Sequence, residues 1–455
     1  GRAAQVGIED HRVEPLAVAM ADQAGEHPRS GARAEIGLGQ GAGDPRLDGG
    51  AAGQRQADLQ IVEPLNVVVG KAALGPCRPG DEDAGGTEIR RGGQFERGRQ
   101  DEIVGEAVGL QRRQDREVAG GGIAADAEDA EVVGLCDIEE TRARELSDLY
   151  GGIPVWTDYH KMLEQCDADV ITIATPHALH AEMAIQTARS GKHILVEKPM
   201  ALSVEDSQSM IDAAEEHSVR LFVVKQNRYN VPVRLTRNVI DSGKLGKIFM
   251  VQCNVFWNRR QEYYDSSDWR GKIESEGGAL QTQVSHFIDL LVWWFGDIVD
   301  AKTLTDTLNH DIEIEDVGVS AMRFDSGVIG SLNWTTCVYN QNLEGSILII
   351  AEFGTIKIGG KYLNEIKFWD VHGVDLPPNE DFNDKPNSYG KYNGSSSNHD
   401  KLIHQICDQL LKNKTGAVEG EEAIRTINAI DVIYAGDDGL NHNRSTSIDC
   451  NSGIN

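Results

Sequence analysis

The sequence predicts an α/β protein with a parallel-sheet domain, incomplete at its start, followed by an α+β domain with an open, mostly antiparallel sheet. Between residues 131 and 224, short apolar strand patterns alternate with helical patterns, which is typical of βαβ units and a parallel sheet. Beyond Pro232, longer strand patterns with alternating polarity follow one another, and these favour antiparallel pairing with one open face.

The elements of the first domain follow in order from these patterns. The run VITIA at 170–174 is apolar on both faces, as a parallel strand covered by helices must be. The predicted strands are 130–137, 167–176, 194–196 and 219–224, and the predicted helices are Thr141–Leu149, Tyr159–Cys166, His180–Ser190 and Val204–His217.

The second domain begins with a predicted helix and ends with two more. Its strand patterns are longer, and one strongly apolar helix interrupts them. The predicted strands are 247–257, 316–324, 328–339 and 346–358, and the predicted helices are Val233–Ser242, 278–296, His399–Leu411 and Glu421–Tyr434.

Composition excludes several classes of protein. A formal net charge of −28 repels phosphate backbones, so we expect no nucleic-acid partner. No apolar run reaches about 18 residues, so we expect no membrane span. The 7 cysteines lie far apart without a CxxC pair, which argues against metal sites and disulfides and fits a reducing cytoplasm. The first residues lack a signal-peptide pattern, so we expect a cytoplasmic protein.

Polar residues follow three of the predicted parallel strands, at the edge of the sheet where ligands bind. Asp137 could accept the ribose hydroxyls of a dinucleotide, or it could be a helix N-cap; the sequence leaves both open. Thr175 and Pro176 end the next strand, and Glu197 and Lys198 end the one after it. Three such ends in consecutive units predict a shared cleft.

Three segments resemble the glucose-fructose oxidoreductase/inositol dehydrogenase/MocA family. They are TPHALH at 175–180, VEKPMALS at 196–203 and EGGALQTQVSHFIDLLVWWFG at 276–296, and the resemblance covers roughly residues 131–434. It implies a Rossmann-like domain that binds NAD, followed by a sheet domain that lines the substrate site. The cofactor-binding residues that it implies are Asp137, Thr175, Pro176, His180, Glu197, Lys198 and Gln226.

The resemblance also implies the catalytic pair Lys198 and His286. A lysine that is partly desolvated at a strand end has a lowered pKa and can take a proton. On a helix from Gly278, His286 would share a face with Thr282 and Asp289. Many relatives carry Asp at the place of Thr282, so Lys198 and His286 are expected to carry the proton without an Asp–His relay.

Residues 225–233 and 256–272 resemble UDP-N-acetylglucosaminuronate 3-dehydrogenases of bacterial polysaccharide precursor synthesis. A sugar-nucleotide substrate carries phosphates and a carboxylate, which arginine forks bind well; ordinary solvated surface arginines are the alternative. Dehydrogenases of another sugar or cyclitol, or a non-catalytic relative, also remain open. The substrate-binding residues that we expect are Arg228, Tyr229, Asn230, Arg259, Tyr264, Arg270, Gln283 and Thr282.

The start of the chain departs from the family. Phe95 is the only aromatic residue before Tyr150, and the segment is too poor in patterned apolar residues to form much core. The glycine loop that binds pyrophosphate has only a weak match at Gly120, Gly122 and Ala125, so the first βα unit is interpreted as missing or replaced. The run LQIVEPLNVVVG at 59–70 predicts at most an isolated strand or turn.

Four parts follow. We expect a low-complexity, poorly ordered or non-homologous extension over 1–122 and a polar tail over 437–455. Between them we expect the NAD-binding Rossmann-like domain over 123–231 and the α+β domain for substrate binding and oligomerisation over 232–436. The family resemblance implies a homo-oligomer, either a dimer or a tetramer.

Overall fold

The computed structural model describes residues 130–377 and 398–437, and the backbone alone of 67–72, 386–388 and 393–396. All of these residues belong to one unit that spans Leu59–Asn455. The weak glycine-loop match at Gly120–Ala125, most of the predicted extension and the predicted tail beyond 437 lie outside the described residues.

Among the described residues, the first sheet has 6 strands in the order β3-β2-β1-β4-β5-β6. Neighbouring strands pair in parallel for β2 with β3, β4 with β5 and β5 with β6, which confirms the Rossmann-like pattern predicted from the sequence. The strands are β1 Val67–Ala72, β2 Ala130–Cys136, β3 Val155–Trp156, β4 Val170–Ile173, β5 His193–Val196 and β6 Leu221–Val223.

Strand β1 differs from the prediction of an isolated strand or turn, because it lies in the centre of the sheet. It pairs with both β2 and β4, and both pairings are antiparallel. Val67 is in register with Cys136 and Ile173, the last residues of those strands. The chain therefore enters β1 at the edge where its neighbours end, and it leaves at the opposite edge.

The helices of this domain begin where the sequence supplies capping groups. The Asp158 carboxylate accepts a hydrogen bond from the backbone N–H of His160 at 3.0 Å, and Ser203 Oγ accepts one from Asp206 at 3.0 Å; both are N-cap contacts. The helices are α1 Glu140–Leu149, α2 Tyr159–Gln165, α3 His180–Arg189 and α4 Val204–Glu216, with 3-10 turns at His177–Leu179 and Gln226–Tyr229.

The second sheet has, within the described part of the chain, 7 strands in the order β13-β12-β11-β7-β10-β9-β8. Among them, only β7 and β10 pair in parallel, so the sheet is mostly antiparallel, as predicted. Its residues alternate between a buried and a more exposed face. The strands are β7 Ile248–Phe256, β8 Ile298–Asp306, β9 Val317–Phe324, β10 Ile329–Thr335, β11 Glu344–Ala351, β12 Gly354–Gly359 and β13 Glu365–Val371.

One apolar helix covers the buried face of this sheet, and its side chains Phe287 and Leu291 are fully enclosed. The turn before it is a π-helix at Leu280–Val284, which differs from the single α-helix predicted from Gly278. The helices are α5 Val231–Asp241, α6 Gln261–Tyr264, α7 Ile273–Glu276 and α8 Ser285–Phe295.

The last two helices, α9 His399–Lys412 and α10 Gly420–Ala435, return to the first sheet. The buried residue Leu402 of α9 packs with Leu135 and Phe222 of the first domain. The start of α10 packs with the first domain and its end with the second. The helices therefore tie both domains together, whereas the sequence assigned them to the second alone. A short hairpin, β14 Pro386–Ser388 with β15 Asn393–Ser396, precedes α9.

Candidate active site

The polar strand ends of the first sheet lie at one edge, as the sequence predicted for a shared cleft. Asp137, directly after β2, is fully buried, and its Oδ1 accepts the backbone N–H of Glu139 at 2.7 Å. The N-cap residue of α1 is Glu139, so the N-cap alternative for Asp137 does not hold. A buried carboxylate at this place suits a ligand hydroxyl, which can donate to it.

The loop after β4 presents a hydroxyl. Thr175 is 6% exposed, and its Oγ1 has no hydrogen-bond partner among the residues that the structure describes. Ser285 Oγ, one residue before His286, is likewise buried and has no hydrogen-bond partner among the described residues. Buried polar atoms are rarely left unsatisfied, so both hydroxyls fit a site that a bound molecule completes. Pro176 lies directly before the 3-10 turn at His177–Leu179.

His180 holds two of these loops together. Its Nδ1 contacts the carbonyl of Pro199 at 2.8 Å, and its Nε2 contacts the carbonyl of Thr175 at 2.9 Å. Burial lowers the pKa of His180. Both ring nitrogens thus contact backbone carbonyls, so His180 positions Thr175 and the loop of Lys198 relative to each other; a direct contact of His180 with the cofactor stays a prediction.

Lys198 belongs to the first domain, and its side chain contacts the second domain. Its Nζ donates to the carbonyl of Thr282 at 2.7 Å. Burial lowers the pKa of Lys198 to about 8; the charges of Arg259 and Lys225 act in the same direction, and Glu197 opposes them. A substantial fraction of this amine is therefore neutral near pH 8, and the neutral amine can accept a proton.

The π-turn shapes the other half of the site. His286 is the second residue after it and is 4% exposed. Burial, together with the charges of Lys198 and Lys225, lowers its pKa well below the usual value for histidine, so the imidazole is neutral at pH 7. Thr282 Oγ1 donates to the carbonyl of Gly278 at 3.1 Å. Such π-turns often occur at functional sites.

Three expected substrate residues have partners within the protein. Arg228 forms a bidentate pair with Asp289, both contacts at 2.8 Å, and it also binds Glu422 at 2.5 Å. Tyr229 donates its hydroxyl to Gln405 at 2.8 Å. Asn230 donates to the carbonyl of Tyr362 at 2.9 Å. These contacts join the two domains, and substrate binding by the three side chains stays a prediction. Gln226, nearby, is buried.

Three of the other expected substrate residues, Arg259, Arg270 and Gln283, come together around Tyr263. The Arg270 guanidinium lies 4.4 Å from the ring centre of Tyr263, and that of Arg259 lies 5.4 Å from it. Gln283 Nε2 donates to the Tyr263 hydroxyl at 3.0 Å. Tyr264 instead contacts Thr336 Oγ1 at 3.1 Å, and burial raises its pKa. Cations over aromatic faces at this edge form a surface suited to anions and flat rings.

A potential metal-ligand group lies beside this cluster, although the sequence predicted no metal. One ligand atom each from His310, Asp316 and Cys337 lies within 4.8 Å of the others. His310 Nδ1 already contacts Asp316 Oδ2 at 2.9 Å, and its Nε2 contacts the carbonyl of Arg259 at 2.7 Å. Asp316 also accepts three backbone N–H groups. The group therefore serves to hold the Arg259 loop in place.

Sequence reasoning missed several charged residues of the site. Lys225 and Asp289 form a buried pair with 3.4 Å between Nζ and Oδ1. His399, at the start of α9, lies 3.8 Å from Glu197, and burial lowers its pKa. Glu276, before the paired glycines, is 1% exposed. Only Glu276 had a local signal, since a carboxylate beside an apolar helix start is unusual; the others are brought in by tertiary structure.

The chain belongs to the GFO/IDH/MocA oxidoreductase family. Residues 109–225 match the oxidoreductase family with an NAD-binding Rossmann fold, and residues 233–357 match the GFO/IDH/MocA C-terminal domain. The cofactor of the first domain is accordingly NAD. Among the described residues, no helix has the length and hydropathy that a bilayer crossing requires.

Several relatives of known name match part of the chain. The WlbA dehydrogenase from Bordetella pertussis, solved with NADH and UDP-GlcNAcA, is 37% identical; the match covers 69% of this chain and 91% of that one, with a TM-score of 0.62. Levoglucosan dehydrogenase of Pseudarthrobacter phenanthrenivorans is 26% identical over 41% of this chain and 54% of its own length. Glucose-6-phosphate 3-dehydrogenase of Bacillus subtilis is 26% identical over 61% and 81%. The chain thus spans little more than half of the levoglucosan enzyme.

Proposed function

We propose that the chain is an NAD-dependent dehydrogenase that oxidises the 3-hydroxyl of UDP-N-acetylglucosaminuronate, in the synthesis of surface-polysaccharide precursors. The observation that carries the proposal is the contact of Lys198 Nζ with the Thr282 carbonyl at 2.7 Å, which brings the lysine to the π-turn that leads into His286. The 37% identity with a dehydrogenase solved with UDP-GlcNAcA supports the choice of substrate.

The chemistry requires one base and a hydride acceptor. NAD, when bound, supplies the hydride acceptor. Lys198, with its pKa lowered to about 8, takes the proton of the sugar hydroxyl as the carbon beneath it is oxidised. His286, held neutral by burial, accepts or shares the same proton. Glu197 follows β5 directly and stabilises the charge that Lys198 then carries.

The described residues fit the ribose and nicotinamide side of NAD. Asp137 offers a buried carboxylate to ribose hydroxyls, and it would repel a 2′-phosphate. Thr175 Oγ1 has no hydrogen-bond partner within the described part of the chain, so it can bond to a cofactor atom. The pyrophosphate would need a loop outside the described residues, because β1 runs antiparallel and its carboxyl end lies at the far edge.

The substrate side rests on the cluster around Tyr263. Arg270 and Arg259 offer cations for the diphosphate and the carboxylate, and Gln283 offers an amide to a sugar hydroxyl. Trp269, over which the Arg270 guanidinium lies at 4.7 Å, adds a flat surface for uracil or sugar. This role of the cluster is a part of the proposal.

We further propose a homo-oligomer, formed through the open face of the second sheet. Large apolar side chains are exposed there on neighbouring strands, and patches of this kind mark association surfaces. Met250 and Ile329 lie side by side in register and are 43% and 49% exposed. Light scattering of the purified chain tests this part: a dimer or tetramer is expected, and a monomer contradicts it.

Oxidation of another sugar is the second candidate, since glucose-6-phosphate 3-dehydrogenase is 26% identical to this chain. A third is a non-catalytic member of the family, which the antiparallel β1 favours. The experiment that separates them is NADH formation with UDP-N-acetylglucosaminuronate, UDP-glucuronate, glucose 6-phosphate and myo-inositol as substrates. Preference for the first supports the proposal, preference for any of the other three supports the second candidate, and no NADH with any of the four supports the third.

A further inference from the structure

One buried histidine at the edge of the first sheet has no role in the mechanism described so far. His177 follows Pro176 in the loop after β4 and is 7% exposed. Its Nδ1 contacts the carbonyl of Glu276 at 3.0 Å, which links this loop to the end of α7 in the second domain. Within the described part of the chain, its other ring nitrogen, Nε2, makes no hydrogen bond. Buried polar atoms rarely stay without a partner, so Nε2 is suited to a bound molecule.

The contact with Glu276 fixes which nitrogen of His177 carries the proton. A carbonyl oxygen can only accept a hydrogen bond, so Nδ1 is the donor and is protonated. Burial lowers the pKa of His177 well below the usual value for histidine, and the charges of Lys198 and Arg270 act in the same direction. The ring is therefore neutral at pH 7, and Nε2 carries a lone pair. Such a nitrogen accepts a hydrogen bond, which suits a hydroxyl and disfavours a phosphate or carboxylate oxygen.

His177 lies between the cofactor edge and the aromatic surface proposed for the substrate. It is two residues from Thr175, whose hydroxyl also has no hydrogen-bond partner among the described residues. Its ring meets the indole of Trp269 edge-on, with 5.1 Å between the ring centres. The Arg270 guanidinium lies 4.7 Å from the same indole. A molecule bound at this junction can present hydroxyls from two sources, the ribose of NAD and the sugar of the substrate.

We propose that His177 is a further ligand-binding residue, whose Nε2 accepts a hydrogen bond from a hydroxyl of the molecule bound between the two domains. This inference rests on the proposed function where it takes NAD and a UDP-sugar as the ligands. Both sources offer the same O–H donor. An uncharged acceptor suits a site from which water is excluded, because it loses less hydration than a second carboxylate would.

Two substitutions separate this role from the hydrogen bond to Glu276. His177→Asn places an amide N–H near the position of Nδ1 and leaves no polar atom at the position of Nε2, so it keeps the contact with Glu276 and removes the acceptor. His177→Gln places an amide oxygen near the position of Nε2, so it keeps the acceptor and loses that contact. Calorimetry measures the binding of NAD to the full chain and of UDP-N-acetylglucosaminuronate to the NADH-loaded chain, in which the reduced cofactor prevents turnover.

The Kd of one of the two ligands is expected to rise by about three- to tenfold in H177N, which is the loss of one hydrogen bond, and to stay near the wild-type value in H177Q. A rise for NAD assigns the hydroxyl to the ribose, and a rise for the UDP-sugar assigns it to the sugar. Wild-type values for both ligands in H177N overturn the proposal. A larger loss in H177Q than in H177N also overturns it, because the contact with Glu276 would then be the feature that matters.

If H177N does not fold, a crystal structure of the wild-type chain with NADH and the UDP-sugar replaces it. A ligand hydroxyl oxygen within about 3.2 Å of Nε2 is expected, and its absence overturns the proposal. The results also separate this inference from the proposed function. A chain that oxidises the sugar but keeps its affinities in H177N refutes this inference alone. A chain that oxidises no sugar but binds NAD more weakly in H177N refutes the dehydrogenase alone.

Discussion

The ion pair between Asp289 and Arg228 provides a quantitative prediction about stability. Asp289 is 3% exposed and Arg228 is 10% exposed, and two contacts of 2.8 Å join them. Lys225 Nζ lies 3.4 Å from the same carboxylate. Asp289→Asn removes the carboxylate charge. The two buried cations, Arg228 and Lys225, then have less negative charge to compensate for their lost hydration. Loss of one partner from a buried pair costs about 3–5 kcal/mol, and we expect D289N to lower the free energy of unfolding by that amount.

The assay is urea unfolding of the full chain, followed by circular dichroism and by fluorescence. The matched control is Asp241→Asn, which breaks the Arg237–Asp241 pair on α5, where the side chains are 27% and 53% exposed. An exposed pair contributes about 0–1 kcal/mol. A loss in D289N that is no larger than the loss in D241N would refute the reasoning, because burial would then make no difference.

The same pair predicts a pH dependence. Burial alone would raise the pKa of Asp289, but the charges of Arg228 and Lys225 outweigh it and hold that pKa well below the usual range. A carboxyl with a depressed folded-state pKa contributes stability above its unfolded pKa of about 4, and this contribution is lost as the pH falls towards the folded value. The difference in stability between wild type and D289N should therefore shrink below about pH 4; a difference that is constant down to acid pH would contradict the assignment.

Three further predictions concern the site. Lys198→Ala should lower kcat by about 10²–10⁴-fold while the Kd for NAD, measured by calorimetry, changes little; wild-type turnover would exclude Lys198 as the base. In the wild type, kcat should rise with pH to a plateau above a pKa of about 8, because the neutral amine is the active form. Arg270→Leu should raise the KM for the UDP-sugar more than it changes kcat, whereas the exposed-residue control Arg260→Leu should leave both unchanged; equal effects of the two would argue against Arg270 as a ligand.

The fold could be predicted, and the centre of the candidate site could be proposed, because the signals for both are local. Apolar strands alternating with helices define the first sheet over a few residues each. Lys198 and His286 are marked by short motifs at a strand end and on an apolar helix. Both positions can therefore be identified as candidates from the sequence alone. In the structure, Lys198 contacts the turn that precedes His286.

The remaining features depend on partners that are distant in the sequence. Arg228 had the signature of a ligand-binding arginine, but its carboxylate partners lie 61 and 194 residues further along the chain, and no local pattern reveals them. The π-turn at Leu280–Val284 has the same apolar pattern as an α-helix. The antiparallel entry of β1 into the first sheet could not be predicted, since strand direction is decided by pairing rather than by composition.

The most direct test of the account is a calorimetric titration of the full chain with NAD. The account predicts saturable binding at one site per chain, because the first domain belongs to an NAD-binding family and because we propose that Asp137 and Thr175 bind the ribose and nicotinamide side of the cofactor. NADP should bind more weakly, since Asp137 repels a 2′-phosphate. Absence of binding by NAD would contradict the central claim, and it would mean that the chain keeps the family's fold without its cofactor chemistry.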